Sequence, residues 1–143
     1  MRENKILLIE DNSDDEELTL RALKKGQFSA TVDVVRDGAE ALDYLFCRGT
    51  YAKRNSKDLP RFAFLDLKLP KIDGLEVLKQ IRANPATIYL PVVVFTSSQE
   101  SRDINAAYSY GANSYIVKPV DTTQFTDAIK QVGQYWLTFN EKL

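Results

Sequence analysis

The sequence predicts one α/β domain built on a parallel β-sheet, and two observations carry that prediction. Strand-like apolar runs alternate with helix-like amphipathic stretches along all 143 residues, the pattern of successive βα units. Four runs, Ile6-Leu7-Leu8-Ile9, Phe62-Ala63-Phe64-Leu65, Val92-Val93-Val94-Phe95 and Tyr115-Ile116-Val117, end at or beside Glu10-Asp11, Asp66, Thr96 and Lys118 respectively. In a parallel sheet these residues emerge together at the carboxyl edge, where open α/β sheets bind ligands.

The elements follow in order. Lys5 to Glu10 forms the first strand. Ser13, with Glu16 three residues later, makes a capping box for a helix that turns Leu18, Ala22 and Leu23 inward and stops near Gly26. Thr31 to Val35, rich in β-branched residues, is the second strand. Asp37-Gly38 opens a helix through Ala39, Leu42, Leu45 and Phe46. Residues 47–61 break periodicity at Gly49, Asn55, Ser56, Asp58 and Pro60. They carry Lys53, Arg54, Lys57 and Arg61, and read as an exposed basic loop extending the second helix.

After the third strand, Pro70 and Asp73-Gly74 mark a loop and a turn. A helix with Leu75, Val77, Leu78 and Ile81 follows and halts before Asn84-Pro85, since proline disfavours helix in the residue before it. Pro91 opens the fourth strand. Ser101 to Tyr110 is a weakly amphipathic helix closed by Gly111 in a left-handed cap. Ser114 to Val117 is the fifth strand. Asp121, with Gln124, caps a last helix whose Phe125, Ala128, Ile129, Val132 and Trp136 keep helical spacing. Nothing divides the chain, so residues 1–143 are expected to be one domain without an output domain.

Composition narrows the function. Apolar residues are 44% and charged residues 27%, with a net charge of −1, ordinary for a globular protein and no sign of a nucleic-acid partner. No stretch approaches the roughly 20 apolar residues of a membrane span, and the start is too short for a signal-peptide core. One cysteine, Cys47, cannot form an internal disulfide, which suits a reducing cytoplasm. There is no histidine. That excludes a phosphohistidine carrier, a Ser-His hydrolase and a His-ligated zinc enzyme.

Three carboxylates, a hydroxyl and an ammonium at one sheet edge suggest a divalent metal beside a phosphorylatable aspartate. Mg2+ takes oxygen ligands, keeps several waters and accepts one or two carboxylates. Asp11 and Asp66 supply direct carboxylate ligands, Glu10 acts through a water, and the backbone carbonyl of Lys68 completes the set. Asp66 is then the acceptor. Lys118 sets a point charge on the phosphoryl oxygens, and Thr96 donates a hydrogen bond to one of them. Taken singly, each residue could be a helix cap or a turn former. At four strand ends together they point to phosphoryl transfer.

Glu10-Asp11, Leu65-Asp66-Leu67-Lys68-Leu69-Pro70 with Asp73-Gly74, Thr96-Ser97 and Lys118-Pro119 resemble, over essentially the whole chain, the receiver domains of two-component response regulators. The resemblance implies a flavodoxin-like (βα)5 doubly wound sheet in strand order 2-1-3-4-5, phosphorylation of Asp66 by a sensor histidine kinase, and Mg2+ held by Glu10, Asp11 and Asp66. It also implies a cis Lys118-Pro119 bond and a switch in which Thr96 moves inward and Tyr115 follows. The 47–61 insertion, Thr96-Ser97-Ser98 and the Tyr135-Trp136-Leu137 ending resemble the subgroup paired with cyanobacterial and bacterial phytochromes. Ser97 stands where the family commonly has Ala or Gly, which would restrict access to the site.

Tyr135, Trp136 and Phe139 put apolar surface on more than one side of the last helix, which predicts a homodimer through that face. Two other readings compete. A Mg2+-dependent phosphatase of the haloacid dehalogenase type wants an acid two residues after its nucleophile, and Lys68 stands there. A docking module that is never phosphorylated would keep the same motif.

Overall fold

The computed structural model describes residues 4–142. Five strands, β1 (Asn4–Ile9), β2 (Ala30–Val35), β3 (Phe62–Leu65), β4 (Val92–Thr96) and β5 (Ser114–Val117), alternate with five helices. The helices are α1 (Ser13–Lys25), α2 (Gly38–Leu45), α3 (Gly74–Ala83), α4 (Ser101–Ser109) and α5 (Thr122–Gln134), and α5 runs into one π-helical turn, Tyr135–Phe139. All strand pairs are parallel, in the order β2-β1-β3-β4-β5. This is the flavodoxin-like order expected from the resemblance.

Alternation along the strands divides the core between two faces. Leu7, Ile9, Ala63, Leu65, Val92 and Val94 pack with Leu42 of α2 and Val77, Leu78 and Ile81 of α3. Ile6, Leu8, Phe62, Phe64, Val93 and Phe95 pack with Ala22 and Leu23 of α1 and Phe125 and Ile129 of α5. On this second face an aromatic row runs Phe62–Phe64–Phe95–Phe125, with ring centroids 5.1, 6.0 and 5.0 Å apart. Both faces of β3 and β4 are buried, which is why those strands read as unbroken apolar runs.

The structure departs from the sequence expectations at three places. Asn12, not Ser13, caps α1: its side chain accepts the Asp15 N–H at 2.9 Å. Asn caps as well as Ser, so residue type alone does not separate the two. The basic loop is not merely exposed. The Arg54 guanidinium lies 3.9 Å over the Tyr44 ring and donates to the carbonyls of Tyr44 and Asp58, while Arg61 donates to Asn4 at 2.9 Å and to the Trp136 carbonyl at 3.0 Å. A planar fork of donors suits that bracing role, and composition reports the charge without its partners. Finally, no peptide bond among the described residues is cis, Lys118-Pro119 included. Bonds to proline favour trans only weakly, so tertiary context decides the isomer.

Other local signals hold. Asp37, Asp73 and Asp121 cap α2, α3 and α5 by accepting the N–H three residues on. Gly111 has φ +97°, and the Ala112 N–H reaches back to the Ala107 carbonyl at 2.9 Å, closing α4.

Candidate phosphoryl-acceptor site

Each reactive side chain leaves the sheet where its strand ends, and backbone bonds between neighbouring strands fix the exits. The Glu10 N–H donates to the Val35 carbonyl, that of Asp66 to Ile9, and that of Lys118 to Thr96, at 3.0, 3.1 and 2.8 Å. A central parallel sheet therefore sets the relative positions of the acceptor, the hydroxyl and the ammonium.

The Lys118 ammonium is the hub. Its Nζ donates to Glu10 at 2.7 Å, Asp66 at 2.8 Å and Asp15 at 2.8 Å, one carboxylate for each of its three N–H bonds. The Lys118, Glu10 and Asp66 side chains are only 8%, 3% and 8% exposed, so these are largely dry ion pairs. Burial pulls the lysine pKa down, but the bonds to Asp15, Asp66 and Glu10 outweigh it and hold the group well above the usual lysine range. Asp66 sits below the usual carboxylate range. Burial pushes it upward, and the Lys118 hydrogen bond and charge more than reverse that.

Glu10 goes the other way. Burial, reinforced by the Asp66 charge and only partly offset by Lys118, raises it to about 7. Two carboxylates on one ammonium thus have separated affinities, and the proton of the cluster belongs on Glu10. A carboxyl raised from about 4.5 when unfolded to about 7 when folded contributes stability that is complete below the unfolded value and lost as pH rises through 7. Asp66, with its folded value lowered, loses its contribution only as pH falls below about 4. Metal-free protein should therefore be more stable at pH 6 than at pH 8 by about 1 kcal/mol in urea titrations. Glu10→Gln should flatten that difference, and an unchanged slope in the variant would refute the assignment.

Glu10, Asp11 and Asp66 bring carboxylate oxygens within 4.8 Å of one another, a spacing that one small divalent cation can bridge. The Thr96 hydroxyl helps lower Asp66, yet falls short of hydrogen-bond geometry: Oγ1 is buried without a hydrogen-bond partner among the described residues. A buried, unsatisfied hydroxyl is costly. An oxygen-rich anion on Asp66 would satisfy it, and the all-oxygen donor set suits a hard cation, so the residues fit both groups. The Lys68 N–H donates to Asp66 Oδ1 at 3.2 Å, bracing the acceptor from the following loop.

Tyr115 reaches the loop that follows Thr96. The Tyr115 hydroxyl, on edge strand β5, donates to the Ser98 carbonyl at 3.0 Å, two residues beyond Thr96. Ser98 Oγ in turn donates to Asp103 on α4. Ser97 is exposed rather than packed into the site. Of the expected interface residues, Tyr135 and Phe139 are 50% and 65% exposed, whereas Trp136 is half-buried against the core. A cavity of about 520 Å³ between Arg61, Tyr89 and Trp136 lies at the opposite, amino edge of the sheet and contains none of the reactive groups.

Asp15 is the one site residue that the sequence reading missed. It lies on the first turn of α1, four residues after Asp11 and behind the Asn12 cap, and its carboxylate reaches Lys118. Three consecutive acids, Asp14, Asp15 and Glu16, in the first turn of a helix that starts beside Glu10-Asp11 were the available signal.

The fold is a doubly wound parallel sheet that carries this carboxylate–lysine cluster at its carboxyl edge. The model of the response regulator receiver domain matches residues 6–130, and the chain belongs to that family. It is a receiver domain rather than a turnover enzyme, which removes the phosphatase alternative. Among curated relatives, it is 39% identical to the probable methanogenesis regulatory protein FilR2 of Methanothrix harundinacea, over 94% of this chain and 84% of that protein. It is 34% identical to response regulator Rcp1 of Synechocystis, over 92% and 88%.

The solved structure of the Mn2+-bound form of Rcp1 superposes with a TM-score of 0.91, covering 98% of this chain and 99% of that one at 32% identity. The phosphorylated cyanobacterial phytochrome response regulator RcpA gives 0.91 as well, covering 99% and 98% at 37% identity. The chain is thus homologous to phytochrome response regulators over its full described length.

Proposed function

We propose that the protein accepts a phosphoryl group on Asp66 from a sensor histidine kinase and relays it as a conformational signal. The observation that carries this is the Lys118 ammonium shared between Asp66 and Glu10 beside the orphaned Thr96 hydroxyl. In the reaction an Asp66 carboxylate oxygen attacks phosphorus. The bond from phosphorus to the donor histidine nitrogen breaks, the imidazole leaves, and an acyl phosphate forms. Lys118 and Thr96 stabilise the charge on the phosphoryl oxygens, which is the main contribution a protein makes to such a transfer.

Glu10, Asp11 and Asp66 would hold Mg2+, supported by their spacing and by the Mn2+-bound structure of Rcp1, and the Lys68 carbonyl would complete the set. When bound, Mg2+ neutralises phosphoryl charge that would otherwise repel the carboxylate. Thr96 then moves toward the phosphate, and Tyr115 is released from or redirected at Ser98, altering the face of α4, β5 and α5. In time water attacks phosphorus, the bond to the Asp66 oxygen breaks, and inorganic phosphate leaves with the Asp66 carboxylate restored, so both phosphorylation and dephosphorylation are self-catalysed.

The kinase is of the phytochrome type. The support is the likeness to RcpA over 99% of this chain, insertion and C-terminal turn included. The test is phosphotransfer from a purified phosphorylated phytochrome kinase and from an unrelated histidine kinase. Transfer within seconds from the first alone supports the pathway, and indifference between the two removes it. Contacts are with proteins rather than nucleic acid, in line with the net charge of −1. The location is cytoplasmic, in keeping with the unpaired Cys47. Among the described residues no helix is long and apolar enough to cross a membrane.

The protein forms a homodimer through the end of α5, where Tyr135 and Phe139 stay exposed while Trp136 supports them by a T-shaped contact with Tyr135 at 4.9 Å. Phe139→Glu should shift sedimentation from dimer to monomer without changing the melting temperature. An unchanged sedimentation coefficient would refute this face.

A further inference from the structure

Three carboxylates hold Lys118, and two of them are consumed by the chemistry of the site. Asp66 is the acceptor, and its oxygens become part of the acyl phosphate. Glu10 belongs with Asp11 and Asp66 to the cluster that fits a cation. Asp15 belongs to neither, yet its Oδ2 lies 2.8 Å from Nζ, the same distance as Asp66.

Asp15 is also well anchored. Its N–H is held by the Asn12 side chain at 2.9 Å, and its carbonyl accepts the buried Thr19 hydroxyl at 2.8 Å. The α1 backbone at this point cannot swing without breaking both bonds. The side chain, 26% exposed, reaches the ammonium from the rim of the site.

We propose that Asp15 is a positioning residue for phosphoryl transfer: it fixes the Lys118 ammonium from outside the acceptor and the cation cluster. The ammonium sits on a flexible four-carbon stem. One N–H bound to Asp15 leaves the other two directed at Glu10 and Asp66. When the carboxylates of the site turn to other ligands, Asp15 keeps the charge beside the phosphoryl oxygens. The inference rests on the receiver reading above.

The test compares wild type, Asp15→Ala and Asp15→Glu, and places Asp15→Ala also in a Lys118→Ala background. Acetyl phosphate with saturating Mg2+ is the donor, and intact mass gives the rate of acyl-phosphate formation. Mn2+ titration of each protein measures cation affinity separately. Asp15→Ala should slow phosphorylation about tenfold, the scale of a modest misplacement of a catalytic group. Its Mn2+ affinity should change by less than the rate. Asp15→Glu should recover most of the loss, and Asp15→Ala should have no effect once Lys118 is gone.

An equal loss with and without Lys118 would overturn the proposal, because Asp15 would then act by stabilising α1. Faster phosphorylation of Asp15→Ala would also overturn it, showing that the carboxylate mainly repels the anionic donor. An unchanged rate would overturn it while leaving the receiver reading intact. Failure of the wild type itself to take phosphate would bring down both.

Discussion

Lys118→Ala should lose phosphorylation and, in metal-free buffer, much of its stability. Removing the ammonium leaves Glu10 and Asp66 buried with no cation and Asp15 unpaired at the rim. Removing one partner of a buried ion pair costs about 3 to 5 kcal/mol when the other charge stays. Here proton uptake by Glu10, already at about 7, relieves part of it, so roughly 3 kcal/mol at pH 8 is expected. Millimolar Mg2+ should restore most of that loss, since it returns positive charge to the same carboxylates. Its stabilising effect should be greater for the variant than for wild type.

The rate of phosphorylation by a small donor should fall about a hundredfold even with Mg2+ present, the scale for deleting one donor to a developing anion. Urea unfolding with and without Mg2+, beside a phosphorylation time course, reads all three effects. A variant as stable as wild type without Mg2+ would mean that the lysine does not neutralise the cluster.

Gly74→Ala should be the most damaging small substitution near the site. A Cβ there would lie 2.4 Å from the Asp66 carbonyl oxygen and 2.6 Å from Leu67 Cα, both backbone atoms unable to rotate away. Gly74 begins α3, and its N–H donates to the Leu67 carbonyl at 2.9 Å, so helix and acceptor loop are in direct contact. Either α3 must lift or the end of β3 must move. Overpacking of this kind costs about 1 to 3 kcal/mol, and the upper end is expected because no side chain can yield. Displacing Asp66 by a fraction of an ångström should also slow phosphorylation more than tenfold at a temperature where the variant remains folded. Wild-type stability and rate in Gly74→Ala would contradict the packing described.

These two positions were not equally visible in the sequence. Lys118 could be placed because strand-end chemistry is local: an apolar run stops and a charged residue follows. The same locality made Glu10, Asp11, Asp66 and Thr96 legible, and the βα alternation determined the layering. Gly74 could be read as a turn residue, but not as the point where α3 touches the acceptor strand, since that contact depends on how the helix lies on the sheet.

Asp15 was hidden for a related reason. In the sequence Asp15 is one of three consecutive acids, Asp14, Asp15 and Glu16, in the first turn of a helix, and which of them reaches Lys118 depends on how α1 lies on the sheet. Arg54 and Arg61 read as loop charge because their partners, Tyr44, Asn4 and Trp136, are distant in sequence or offer backbone carbonyls that carry no sequence signal. The isomer of Lys118-Pro119 was carried by resemblance alone. The unsatisfied hydroxyl of Thr96 is a property of the folded site and of nothing shorter.

Whether Asp66 accepts phosphate is read directly by mass. Wild type and Asp66→Asn are incubated with acetyl phosphate, each with Mg2+ and with chelator, and intact mass is followed over time. Wild type with Mg2+ should gain one phosphoryl group, lost in alkali as an acyl phosphate is, and the other three samples should gain none. Phosphate on Asp66→Asn would contradict the assignment of the acceptor. No phosphate on wild type from acetyl phosphate or from a phosphorylated histidine kinase would leave a docking module in place of a switch.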